Sequence, residues 1–217
     1  MWKIVLLLVF VTSSSFSIPA QEKEISPQDF VTIRNRDFTL RNANQTPYRE
    51  KMTTEKRISE DGQWEFYSYQ VTEYVNPGKV HNIQYTGLKL ETIGIADDIY
   101  SKAPDQPWVH RKRVTGIASS APVTFPSTGP TTFQYKILRT EVVDGRNTMV
   151  VREVAKEQRA FKGVPVEFVV TRHYWIDDNG LIVKRDDEAL DPVQKTYIRH
   201  TYILEWDPSI KIEAPLP

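Results

Sequence analysis

The chain has 217 residues, with 28 basic and 28 acidic side chains, four histidines and no cysteine. Charges of both signs are interspersed, so the basic footprint of nucleic-acid binding is absent. Without cysteine there is no disulfide framework, no thiolate zinc site and no lipidated amino-terminal cysteine.

Met1–Ala20 carries Lys3, an apolar run from Ile4 to Val11, then serines and Ile18-Pro19-Ala20. That is the layout of a secretory signal peptide, with the cut expected at Ala20/Gln21, or else after Ser17. The apolar run falls short of the about 20 residues that a membrane-spanning helix needs. Its removal would leave 197 of the 217 residues as a single domain of 27 basic and 28 acidic side chains. An exported eukaryotic domain often relies on disulfides, so the expected compartment is the bacterial periplasm or cell envelope. Asn44-Gln45-Thr46 is a glycosylation triplet, which has meaning only in a eukaryotic secretory pathway.

Ser26-Pro27-Gln28-Asp29 has the chemistry of a helix start: a serine N-cap, proline at the first helical position and an acid three residues after the cap. The predicted helix is short and shares Phe30, Ile33 and Phe38 along one face. From Tyr48 onward strand signals dominate. Gln63–Val75 alternates, with Trp64 and Phe66 leading one face and Tyr67, Tyr69 and Val71 the other. Val80–Tyr85, Leu88–Ile95, Asp98–Lys102 and Trp108–Val114 follow as short strands, and turns every ten residues or so mark an antiparallel meander.

Thr115–Thr132 breaks this rhythm. Its prolines remove ladder donors, so it is read as a long connection, either a lid or a plain loop. Phe125, between prolines, is the side chain best suited to plug an apolar opening. Phe133–Val143 and Thr148–Ala155 form a hairpin around Asp144–Asn147. Val164–Ile176 and Leu181–Arg185 form another around Asp178-Asn179-Gly180, where Asn-Gly is expected to supply the positive φ angles of a tight turn. Lys195–Trp206 is a long final strand and Ile210–Ile212 closes the chain. Roughly ten or eleven antiparallel strands in one meander curl into a barrel or half-barrel, or split into a sandwich.

No stretch supplies a catalytic signature. His81, His110, His173 and His200 are too scattered for a zinc set, although His173 and His200 are expected on neighbouring strands. Asp177–Gly180 lacks the alternating acids of a calcium loop and reads as a turn. Asp186, Asp187, Glu188 and Asp191 read as a solvated acidic stretch. Ser119-Ser120 has no nucleophile-elbow context. The expectation is therefore no enzyme, no metal and no cofactor.

Three landmarks occur in order: Asp98-Ile-Tyr-Ser-Lys leading to Gln106-Pro-Trp-Val, then Tyr174-Trp-Ile-Asp-Asp-Asn-Gly-Leu, then a long strand ending in Ile210-Lys-Ile-Glu-Ala-Pro. In these the chain resembles the periplasmic lipoprotein-carrier superfamily of the LolA/LolB and LppX/LprG type. The resemblance implies an incomplete antiparallel barrel around an apolar cavity, closed by helices or loops, with acyl chains or lipid-modified proteins as ligands. It supplies no catalytic residues. The weak amino-terminal helix and the Pro/Ser-rich loop depart from the family pattern, which bears on how such a cavity would be capped.

On this reading the fold is mainly β, an incomplete barrel with a short helix and a loop lid. The cavity candidates are Trp64, Phe66, Leu88, Leu90, Ile99, Phe133, Tyr135, Ile137, Val151, Phe168, Val170, Tyr174 and Tyr202, with Phe125 in the lid. The expected partners are a lipid or acyl chain, or a lipoprotein or other envelope protein. The alternative is a non-catalytic interaction module on the same fold.

Overall fold

The computed structural model describes residues 22–43, 46–113, 129–161, 164–191 and 194–215. The expected signal peptide and Phe125, with most of the 115–132 connection, lie outside them.

Twelve strands form one antiparallel sheet that does not close into a barrel, and one helix packs on it. In chain order these are β1 (Lys23–Glu24), α1 (Pro27–Ala43), β2 (Tyr48–Arg57), β3 (Glu65–Val75), β4 (Lys79–Thr86), β5 (Leu88–Ile95), β6 (Asp98–Lys102), β7 (Val109–Lys112), β8 (Thr132–Val143), β9 (Arg146–Phe161), β10 (Val164–Asp177), β11 (Ile182–Asp191) and β12 (Thr196–Trp206). The spatial order is β1-β8-β9-β10-β11-β12-β2-β3-β4-β5-β6-β7. Two meanders, β2–β7 and β8–β12, are thus joined by β12 against β2. The mainly β incomplete barrel is as expected; the strands beyond the bounded runs are β2, in the stretch from Tyr48 read only as strand-rich, and β1. The latter is two polar residues long, invisible to any periodicity, and becomes a strand only by pairing Lys23 and Glu24 with Ile137 and Lys136.

The β10–β11 turn differs in detail from the turn expected at Asp178-Asn179-Gly180, in which Asn179 and Gly180 would both have positive φ. Only Gly180 has positive φ, at 89°, and Asp177 closes the loop by donating its N–H to the Leu181 carbonyl at 2.9 Å. The Asp177 carboxylate also accepts the N–H groups of Asn179 and Leu181. Ile210–Ile212 does not join the sheet. Ile210 and Ile212 instead pack on Ile93, beside Val75, Ile95 and Tyr100.

The helix begins as its cap predicts: Oγ of Ser26 accepts the Asp29 N–H at 3.1 Å and donates to the Asp29 carboxylate at 2.8 Å. Phe30 and Asp37 are its buried residues, whereas Phe38 is exposed. The face turned to the sheet therefore runs through Phe30, Ile33 and Asp37. Asp37 is held by a defect in the ladder. Trp175 pairs with Lys184 and Ile176 with Ile182, so Val183 is an extra residue; on its other side β11 pairs with β12 only from Lys184 onward, so Ile182 has no β12 partner. The Asp37 carboxylate accepts the Ile182 N–H at 2.9 Å, and Arg41, itself bonded to Asp37, donates to the Ile182 carbonyl at 3.0 Å.

A carboxylate–guanidinium pair thus stands in for the missing strand partner and docks the helix there. Asp37→Ala leaves a buried N–H unmet and Arg41 without its nearest carboxylate, so a loss of about 2–3 kcal/mol is expected in urea unfolding. Asp37→Asn keeps an acceptor for Ile182 and is expected to cost less.

Candidate functional site

Side chains of directly paired residues in an antiparallel sheet lie on the same face, so the register reads out whole rows. One row under the helix is Ile137, Val151, Tyr174, Arg185, Tyr202, Met52, Gln70, Gln84 and Leu90. The next is Tyr135, Glu153, Arg172, Asp187, His200, Thr54 and Ser68. Beyond it come Phe133, Ala155, Val170, Ala189, Ile198 and Lys56. The helix face thus carries an aromatic and mixed row, then a charged row, then an apolar row.

The helix closes the first row. Phe30 stacks on Tyr135 with ring centres 4.4 Å apart and meets Tyr174 edge-on at 5.0 Å. Val151, Tyr174, Ile176 and Ile182 complete this cluster. Beside it Arg34, Asp37, Arg41, Glu50, Arg185 and Tyr202 line a cleft of about 140 Å³. This space is small and polar; it is not the apolar hollow of the sequence reading.

The charged row is buried or half-buried, and its groups pair with one another. Glu153, 3 % exposed, accepts from the Arg172 guanidinium and from the Tyr174 hydroxyl. Arg185 Nε lies 3.1 Å from Asp187 Oδ1, but off the line a hydrogen bond requires, so this contact is Coulombic. Burial raises the Asp187 carboxyl above its ordinary range, against the pull of Arg185 and Arg172. His200 Nδ1 is 3.0 Å from Oγ1 of Thr54. Asp187, His200 and Thr54 do not make a nucleophilic relay: Thr54 is 4 % exposed, and Asp187 Oδ1 has no hydrogen-bond partner.

Burial pushes the imidazoles of both His200 and His173 below their ordinary value. As pH falls below about 6.5 the unfolded chain takes up protons that the folded chain refuses, so stability is full above that pH and declines below it. Asp187 has the opposite sign: its raised carboxyl lets the folded chain bind a proton first, and this offsets part of the decline only in more acid solution. The urea midpoint is expected to drop between about pH 7 and pH 5, and the His173→Gln, His200→Gln double variant to flatten that drop.

The apolar row stays partly open. Phe133 is 46 % exposed, and Val170, Ala189 and Ile198 are half-buried. Phe168 belongs to the same face, under the Arg159 guanidinium at 4.3 Å. Leu88, Leu90 and Ile99 also lie on this face by register, in the other meander, and both leucines are exposed.

Trp64 and Phe66 are on the other face. The pairs Thr54–Ser68 and Glu55–Phe66 leave Tyr67 as an extra residue, and this bulge reverses the alternation at the start of β3. Trp64 is sandwiched between Arg57 and Arg199, at 4.4 and 4.3 Å from the ring centre. Sequence reasoning missed Glu153, Arg172 and Asp37, whose roles arise from partners distant in the chain. The described residues contain no group of three or more His, Cys, Asp or Glu side chains placed to hold a metal ion.

In fold the chain is similar to a DUF1329 family protein from Desulfovibrio piger, at 11% identity and TM-score 0.32, over 83% of this chain and 94% of that one. It is also similar to a putative outer membrane lipoprotein-sorting protein domain from Vibrio parahaemolyticus, at 10% identity and TM-score 0.33, over 85% of this chain and 93% of that one. No family model matches the sequence, and no curated protein matches it.

Proposed function

We propose that the protein is an exported, non-catalytic carrier or receptor that shelters a lipid acyl chain, free or attached to a protein, along the apolar row of the helix face. The observation that carries this reading is the row Phe133, Ala155, Val170, Ala189 and Ile198, which crosses five adjacent strands, carries no charged or polar side chain and is left partly open. Burial of an acyl chain there would be driven by about 0.8 kcal/mol for each methylene removed from water. The charged row bounds the chain on one side, and Lys56 ends the row with a cation suited to a carboxylate or phosphate. No described helix is long and apolar enough to cross a membrane.

Lipid extraction and mass spectrometry of protein purified from its host, with displacement of a fluorescent fatty acid, test this. Val170→Asp with Ile198→Asp is expected to weaken the probe at least tenfold, since about 1.4 kcal/mol suffices and an unpaired carboxylate in an apolar row costs more. A protein that carries no apolar molecule and does not bind the probe is not a carrier.

A further inference from the structure

Among the described residues twelve large hydrophobic side chains are exposed, and nine of them sit at one end of the strands. Ile58, Phe66, Tyr67, Leu88, Phe133 and Val164 belong to this group; the three elsewhere are Val31 and Phe38 on the helix and Val142 at the far end. The register establishes the common end. Arg57 pairs with Tyr197 and Thr86 with Leu88, the β9–β10 hairpin opens from Phe161 and Val164, and Phe133 opposes Ala155 near the start of β8. Ile58 is 83 % exposed and Phe66 66 %, values a chain in water alone has no reason to keep together.

We infer that this end of the sheet seats the protein on the surface of a lipid bilayer. The side chains project from separate turns and strand ends, so a fluid interface can receive each of them. A protein partner would need a matching contour. Three cations of this end rest on aromatic rings: Lys56 Nζ lies 3.4 Å from the Tyr67 ring centre, and Arg57 and Arg199 flank Trp64. Apolar body with polar tip is the pattern that suits the headgroup level.

The two arginines are already neutralised, Arg57 by Glu188 at 2.8 Å and Arg199 by Glu55 at 2.7 Å. Seating is therefore driven by apolar burial, and zwitterionic lipid suffices. Phe133 belongs both to this end and to the apolar row, so an acyl chain drawn from the bilayer would enter the row directly. This use of the surface rests on the carrier reading; the seating itself does not.

Flotation with phosphatidylcholine vesicles tests the inference. Parent and variants are purified alike, so anything residues 1–20 contribute is common to all. The parent is expected to float in low and high salt. Ile58→Ser, Phe66→Ser and Leu88→Ser together should lower partitioning at least about tenfold, while Phe38→Ser with Val142→Ser changes nothing. Trp64 gives a second readout: brominated phosphatidylcholine should quench a part of the fluorescence that Trp64→Phe removes.

Fatty-acid probe binding without vesicles should survive the triple substitution, which keeps the two readings separate. Patch-dependent flotation by a protein that binds no probe supports the seat and ends the carrier reading. The seat is overturned by a parent that does not float, by a triple variant that floats equally well, or by a patch whose removal changes only self-association.

Discussion

Replacing Phe30 by alanine is expected to lower the unfolding free energy by about 3–5 kcal/mol, the range for truncating a buried aromatic. The size of the effect follows from how little else holds the helix. Of its 17 residues only Phe30 and Asp37 are buried, and Phe30 is 2 % exposed between the rings of Tyr135 and Tyr174. Without the ring its amino-terminal half has only half-buried Ile33 against the sheet, and the rest is held by Asp37 and Arg41 on Ile182 and by half-buried Leu40. Hydrogen exchange at the Ile182 amide reports this directly, because that N–H is bonded to the helix. It is expected to lose protection in Phe30→Ala well before the central β9–β10 amides do. Phe30→Leu, which refills most of the space, should cost about 1–1.5 kcal/mol. A loss below about 1 kcal/mol for Phe30→Ala would show that the aromatic stack does not anchor the helix.

Glu153→Ala is expected to cost a similar 3–5 kcal/mol, for an electrostatic reason. The substitution strands the Arg172 guanidinium in the charged row with Asp187 its nearest remaining carboxylate, at 3.8 Å, and removes the acceptor of the Tyr174 hydroxyl. Breaking a buried pair on one side is far more damaging than removing both sides. Glu153→Met with Arg172→Met should therefore be much less destabilised than Glu153→Ala, and a double-mutant cycle in urea measures the difference. Additive single losses would mean that the two side chains do not act as a pair. The row thus lies between the part of the face that the helix covers and the apolar row beyond it.

Much of the architecture could be read from alternation. Val166 to Ile176 alternates broadly between apolar and polar residues, and the turn at Asp178–Gly180 interrupts it where β10 meets β11. Of the cavity candidates, Leu88, Leu90, Ile99, Phe133, Tyr135, Ile137, Val151, Phe168, Val170, Tyr174 and Tyr202 share the helix face by register. Trp64 and Phe66 do not. A bulge inserts one residue without any signature in composition, and every side chain before it changes sides. The helix cap at Ser26 was legible because both partners lie within four residues. Asp37 was not, because its partner is the backbone of a residue 145 positions away.

Local physics accounts for what the chain could announce: a run of β-branched and aromatic residues at period two must form strands, and glycine or proline between the runs must turn them. The openness of the sheet, the pairing of β12 with β2 and the charged row were settled by register between segments far apart. Thr54 and His200, 146 residues apart, meet only because β12 slides into one registration against β2. The same registration leaves one apolar row partly open, and no sequence window contains more than two of its members. Strand pairing is a cooperative choice of the whole sheet, made by the sum of many cross-strand contacts, and a single stretch of chain carries too little of that sum to reveal it.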